Sequence, residues 1–161
     1  MAVKFEDFTV QVIGEVNDRI NARLEEVAGE IESAAKRNTR VDQHDTQNAW
    51  SHYVDTDSHT AYIGNPLENA IWEEFGTGEH ALKGNGRKGY WVFVKGASGT
   101  SSNQGKSYTL KEAKKVMRYL RDKGLDAYYT NGKKPSRAFH KAYTALKNKI
   151  IRMLENSLKG L

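Results

Sequence analysis

Ala70-Ile71-Trp72-Glu73-Glu74-Phe75-Gly76-Thr77-Gly78 is the stretch on which the fold of this chain turns. Leu67, Ala70, Ile71 and Phe75 recur at helical spacing, which predicts a short helix with one buried face. Asn65-Pro66-Leu67-Glu68 is its start signal. The Asn65 side chain can accept from an early N–H, Pro66 suits the first helical position, and Glu68 can reach back. Gly76 supplies the left-handed residue with which many helices stop. Glu73 and Glu74 stand just before that corner, so the stretch is either chemistry or architecture.

Outward from this corner, residues 5–36 form one long amphipathic pattern. Phe5, Phe8, Val12, Val16, Ile20, Leu24, Val27, Ile31 and Ala35 step by three or four, interrupted only by Gly14 and Gly29. A helix of this length overhangs a small domain. Residues 38–47 read as polar and irregular. Asn48–Val54 and Thr60–Ile63 read as a β-hairpin with Trp50, His52 and Val54 on one face and Asp55-Thr56-Asp57-Ser58 in the turn. Beyond the corner, a mobile glycine-rich loop is expected over residues 76–89. Tyr90-Trp91-Val92-Phe93-Val94 reads as a strand buried on both faces. A second loop, Gly96–Lys106, leads to the capping box Thr109-Leu110-Lys111-Glu112 and a helix that stops at Gly124. Asp126–Thr130 is a strand candidate. Ser136 is the expected cap of a last helix through Phe139, Tyr143, Leu146, Ile150, Met153, Leu154 and Leu158, with Lys141, Lys147, Lys149, Arg152 and Lys159 on its outer face. The expected fold is α+β in a single domain over residues 1–161. It has a long N-terminal helix, a small, mainly antiparallel sheet, a short helix, a C-terminal helix and an inserted loop–helix block at 95–134.

Composition narrows the function classes. With 161 residues the chain is long enough for one domain with a core. It has no cysteine, which excludes disulfides and thiolate metal sites and fits a cytosolic or virion protein. No apolar run approaches the ~20 residues of a membrane span. Glu6 and Asp7 stand where a secretory leader would be apolar, so none is expected. The net charge of +5 hides an asymmetry. Residues 1–80 carry 6 Lys and Arg against 16 Asp and Glu; residues 81–161 carry 19 against 4. Three readings follow: a basic face for nucleic acid, self-association of acidic on basic parts, or solvated faces of one globule.

Candidate chemistry is thin. Gly84-Asn85-Gly86-Arg87-Lys88-Gly89 matches G-x-G-x-x-G, but it precedes a strand, whereas a dinucleotide site needs it after one. Gly99–Ser107 ends like a P-loop but has one residue too many between its glycines. Glu73 and Glu74 are adjacent, so a helix points them about 100° apart; Glu79 and His80 follow. His44, His52 and His59 have no convincing ligand spacing and read as hydrogen-bonding side chains. Arg118, Tyr119, Arg121, Tyr128, Tyr129, Lys133, Lys134, Arg137 and Tyr143 interleave charge and aromatic rings, a pattern that suits single-stranded nucleic acid and also suits a core or an interface. The residues call for no catalytic group, cofactor or metal.

In order along the chain, these features resemble the tail-completion, or head-to-tail joining, proteins of long-tailed phages. Trp72-Glu73-Glu74-Phe75-Gly76-Thr77-Gly78 resembles that family's E-F-G-T signature. Asp45-Thr46-Gln47-Asn48-Ala49-Trp50-Ser51 looks like its aspartate–threonine–glycine segment, with Gln47 in the glycine's place. Tyr62-Ile63-Gly64-Asn65 looks like the strand before the signature. Pro135-Ser136-Arg137-Ala138-Phe139-His140-Lys141-Ala142 resembles the family's proline–phenylalanine–proline–alanine start of the last helix. Lys141 stands there for the second proline, and the Pro135-to-Phe139 spacing is longer. The likeness spans about residues 1–95 and 133–158. The helix at 110–123 looks like an enlargement.

The resemblance implies a non-enzymatic virion protein of the head–tail junction (tail completion, tail terminator or neck), made in the bacterial host cytoplasm. It implies a ring of identical subunits, commonly six, that meets the connector or head-closure protein and the tail tube protein. DNA would pass through its lumen without sequence-specific binding. Trp72, Glu74, Phe75, Gly76, Thr77 and Gly78 would be its structural signature, with Glu74 expected to bond the turn amides of 76–78 or an Arg of a neighbouring subunit. Ile71 and Phe75 are expected to anchor the short helix to the hairpin and the long helix. Lys83, Arg87, Lys88 and Lys106 would face DNA or a neighbouring ring. The competing reading is a basic nucleic-acid-binding accessory protein.

Overall fold

The computed structural model describes residues 9–40, 44–96, 105–157 and 159. Phe5 and Phe8 of the expected long helix, most of the P-loop-like stretch (Gly99–Gln104) and Leu158 lie outside them. The fold is mixed helix and sheet, as expected. The chain forms two compact units: residues Met1–Leu67 with Ala138–Leu161, and Glu68–Arg137.

The first unit holds α1 (Thr9–Asn38), α2 (Asp45–Asn48), β1 (Ser51–Asp55), β2 (Thr60–Gly64) and α5 (Ala138–Ser157). The short α2 replaces part of the irregular segment expected there. The buried residues of α1 are Val27, Ala28, Ile31, Ala34 and Ala35, all in its second half. Val10, Val12 and Ile13 are exposed, so the first turns overhang. Alanines at Ala34, Ala35, Ala138 and Ala142 let α1 and α5 approach closely around Trp50. That indole stacks on Phe139 at 5.9 Å and 11°. Its Nε1–H donates to Thr39 Oγ1 at 2.8 Å, and Thr39 Oγ1 donates to Ala35 O at 2.8 Å. The one polar atom of the largest core side chain is thus satisfied, and its burial carries its full apolar worth; truncating such a ring costs about 3–5 kcal/mol.

The hairpin forms as expected, Ser51 pairing with Gly64 and Asp55 with Thr60. Its turn closes because Asp55 Oδ1 accepts from Asp57 N at 3.0 Å and Ser58 N at 3.2 Å. His52 faces α1, with Nδ1 2.5 Å from Glu32 Oε2 and Nε2 3.0 Å from Glu25 Oε1. His59 Nδ1 lies 2.8 Å from Asn21 Oδ1. Tyr53 and Tyr62 stack on the outer face at 6.4 Å.

The second unit holds α3 (Glu68–Phe75), β3 (Trp91–Val94), α4 (Leu110–Asp122) and β4 (Ala127–Thr130). In place of one sheet there are two separate two-stranded antiparallel sheets, β1–β2 and β3–β4. The run at 91–94 is not buried on both faces: Val92 is 2% exposed, whereas Phe93 is 42% exposed and stacks on Tyr128. A two-stranded ribbon has only one helix to cover it, so its other face stays open. The covering helix is α4, which sets Ala113, Val116, Met117 and Leu120 against Val92, Ala127 and Tyr129. Its capping box is complete: Thr109 Oγ1 accepts from Glu112 N, and Glu112 Oε2 accepts from Thr109 N at 2.8 Å.

The Glu32–His52 pair defines a pH window. The hydrogen bond to Glu32, then that to Glu25, raises the His52 pKa above its ordinary 6.5 against desolvation. Hydrogen bonds from Lys36 and then His52 lower that of Glu32 below its ordinary 4.5. A raised imidazole gives stability that is complete below pH 6.5 and lost as pH rises through the folded value. A depressed carboxyl gives stability present above pH 4.5 and lost as pH falls through the folded value. Tm should therefore peak between these limits. His52→Gln should flatten the alkaline decline; an unchanged decline in that variant would clear His52 of the effect.

Candidate functional site

The signature stretch folds into a backbone clasp. Gly76 N donates to Trp72 O at 2.9 Å and ends α3 with φ of +72°. Thr77 N donates to Lys133 O at 2.9 Å, and Lys133 N donates back to Thr77 Oγ1 at 2.9 Å. Glu79 N donates to Asn131 O at 2.9 Å. The Glu79 carboxylate then accepts from Asn131 Nδ2 at 2.9 Å and from Gly89 N at 3.0 Å. These bonds, the Asn131 one first, hold its carboxyl below the usual carboxylate range.

Glycine is required here by contact as well as by φ. A Cβ at Gly78, whose φ is +58°, would strike Asn131 O and lie 2.7 Å from the Trp91 ring. A Cβ at Gly132, φ +123°, would strike Thr77 O. One at Gly76 would lie 2.7 Å from His80 O and 2.8 Å from Pro135 Cδ. Gly76 and Gly78 press the chain against residues 131–135 as it enters the loop. The rest of 76–89 is also bonded. Leu82 N donates to Phe75 O, Gly84 N to Ala81 O, and Gly89 takes the Glu79 bond.

The structure brings together two sequence segments that the resemblance singles out separately. Ser136 donates to Glu73 O through its N–H at 2.7 Å and its hydroxyl at 3.0 Å. Ser136 thus ties the end of the clasp to α3. The Glu73 carboxylate is bonded in this corner to Lys133 Nζ. Two of the amides expected to meet Glu74, those of Gly76 and Thr77, donate to backbone carbonyls. Adjacent residues on a helix face different ways, and the sequence alone does not reveal which of the two faces Lys133.

The expected buried face of α3 is mostly open. Ala70 is buried, but Ile71 is 60% exposed and Trp72 and Phe75 are each 49% exposed. The expected anchoring by Ile71 and Phe75 does not bury them. Leu82, brought beside Phe75 by its backbone bond, is exposed as well. Of the four cations expected to face a partner, Lys83, Lys88 and Lys106 are exposed. Arg87 is half-buried, its guanidinium 5.0 Å over the Trp91 ring and bonded to Lys106 O. Among the described residues, no group of three His, Asp or Glu is placed to hold a metal ion. None of their helices is long and apolar enough to cross a membrane.

Gly78→Ala should destabilise the chain by well over the roughly 1–2 kcal/mol that a left-handed backbone costs an alanine. Gly124→Ala is the control, since Gly124 has φ of +80° and nothing within 4 Å of a Cβ. Equal losses for the two in urea unfolding would show that close approach plays no part. No family model, curated protein or solved structure matches the chain.

Proposed function

We propose that the chain is a structural subunit of a tailed-phage virion, one that assembles with copies of itself into a ring at the head–tail junction. The observation that carries this reading is the apolar strip Ile71, Trp72 and Phe75, exposed within the signature stretch itself. Among the described residues, eight of the twelve buried apolar residues are alanines, while these three large side chains are exposed. Contiguous exposed apolar surface of this kind is characteristic of protein–protein contact. The clasp beneath it fixes the backbone of α3, so the strip is presented in one geometry and little ordering is left to oppose association.

A ring of identical subunits needs a heterologous contact, one patch meeting a different patch of the next copy. The strip supplies one patch; the overhanging Val10, Val12 and Ile13 supply apolar surface for the other. In this reading the connector or head-closure protein and the tail tube protein meet the ring's two faces, and DNA crosses its lumen. Lys83, Lys88 and Lys106 face DNA or the neighbouring ring.

Size-exclusion chromatography with light scattering, followed by negative-stain microscopy, tests the reading. Wild type should give a discrete ring. Ile71→Asp with Phe75→Asp should give a monomer with an unchanged circular dichroism spectrum, because both side chains are already in solvent. A wild type that stays monomeric at high concentration, or a variant that still assembles, would sink the proposal. Changing Lys83, Lys88 and Lys106 to Glu should leave the ring intact and impair joining of tails to filled heads in a complementation assay.

A further inference from the structure

We infer that the outer face of α4 is a docking surface for the phosphate backbone of duplex nucleic acid. Lys111, Lys114, Lys115 and Arg118 fall at helix positions i, i+3, i+4 and i+7, so they form one stripe, and all four are exposed. The opposite face of α4 is the one packed on β3 and β4. Among the described residues, none of the four has an ion-pair partner. The nearest acid in sequence, Glu112, is held by Thr109 at the capping box. The stripe lines an open cleft of about 720 Å³ together with Glu112, Asp122 and Tyr119, whose ring carries Lys123 Nζ at 5.7 Å, so four cations face two carboxylates there. Like charges at these spacings repel and weaken a helix, so a polyanion that neutralises them gains that repulsion back.

Duplex nucleic acid fits the charge density. Lys111 to Arg118 spans seven residues, about 10 Å of helix axis. The same length of duplex presents about six phosphate charges. A second copy of this chain fits less well, because five of its acids are already engaged in ion pairs. Glu25 and Glu32 hold His52, Glu26 holds Arg23, Glu30 holds Lys149, and Glu73 holds Lys133. An anionic membrane fits less well too, because surface helices insert an apolar face and that of α4 is buried under the sheet. The surface is independent of ring formation and involves none of the loop cations Lys83, Arg87, Lys88 or Lys106.

Fluorescence anisotropy of the full chain with a short labelled duplex of mixed sequence tests this. Four phosphate contacts predict a log–log salt slope of about −3.6, roughly a hundredfold loss of affinity between about 50 and 200 mM salt. Changing the four residues to Gln should abolish most of that slope. Changing the three lysines to Arg should retain it, which separates charge from folding. Lys141→Gln with Lys147→Gln on α5 should bind as wild type. Unchanged affinity and slope in the four-Gln variant would overturn the inference. So would poly-glutamate, or vesicles rich in phosphatidylserine, binding as tightly as the duplex with the same dependence on the stripe, because the surface would then select anions in general.

Discussion

The second unit depends on the approach of two backbones. At Gly78 and Gly132 the chain comes so close to Asn131 O and Thr77 O that neither residue has room for a Cβ. Only at that separation can Thr77 and Glu79 exchange bonds with residues 131–133. The contact closes a loop of more than fifty residues, whose ordering entropy must be offset by what the closure brings together. It brings together the end of α3, the end of β4 and, through the pairing of β4 with β3, the Trp91 ring over Gly78. An ordinary side chain at either glycine would open the clasp, and with it the support beneath the exposed strip on α3.

Much of the local structure was legible because it obeys local rules. The period of α1, the Asp55 turn, the Thr109–Glu112 box and the stop at Gly124 each need only a few neighbouring residues to be recognised. What was illegible depends on partners distant in sequence. Ser136 reads as a helix cap because serine before an apolar run usually is one; that its hydroxyl also donates to a carbonyl sixty-three residues away is not written locally. That Glu73 meets Lys133 is invisible until Lys133, sixty residues on, is placed. The run at 91–94 reads as a central strand because continuous apolarity does not say how many strands will come to pair with it.

The α3 misreading differs in kind. Ile71 and Phe75 have the spacing of a buried face, and the pattern is real. An apolar stripe states that a surface wants to leave water, not that its own chain will cover it. Where the second unit leaves the stripe exposed, the pattern points outward to a partner. Within the proposed reading, the same spacing that predicts a core position in an isolated domain thus becomes the mark of an interface once Ile71 and Phe75 are seen to stand exposed.

The charge asymmetry resolves in the same way. Acidic and basic halves suggest subunits attracting one another, but counts ignore pairing. Many acids of the first eighty residues meet a donor within their own unit: His52, Arg23, Lys36 and Lys149 in the first, Lys133 and Asn131 in the second. Paired charges project little field, and exposed pairs add little stability. The cations of α4 have no such partners among the described residues. On α4 four such cations share one helix face. Within the proposed reading, contact between copies is left to the apolar strip, and α4 is free to meet a polyanion.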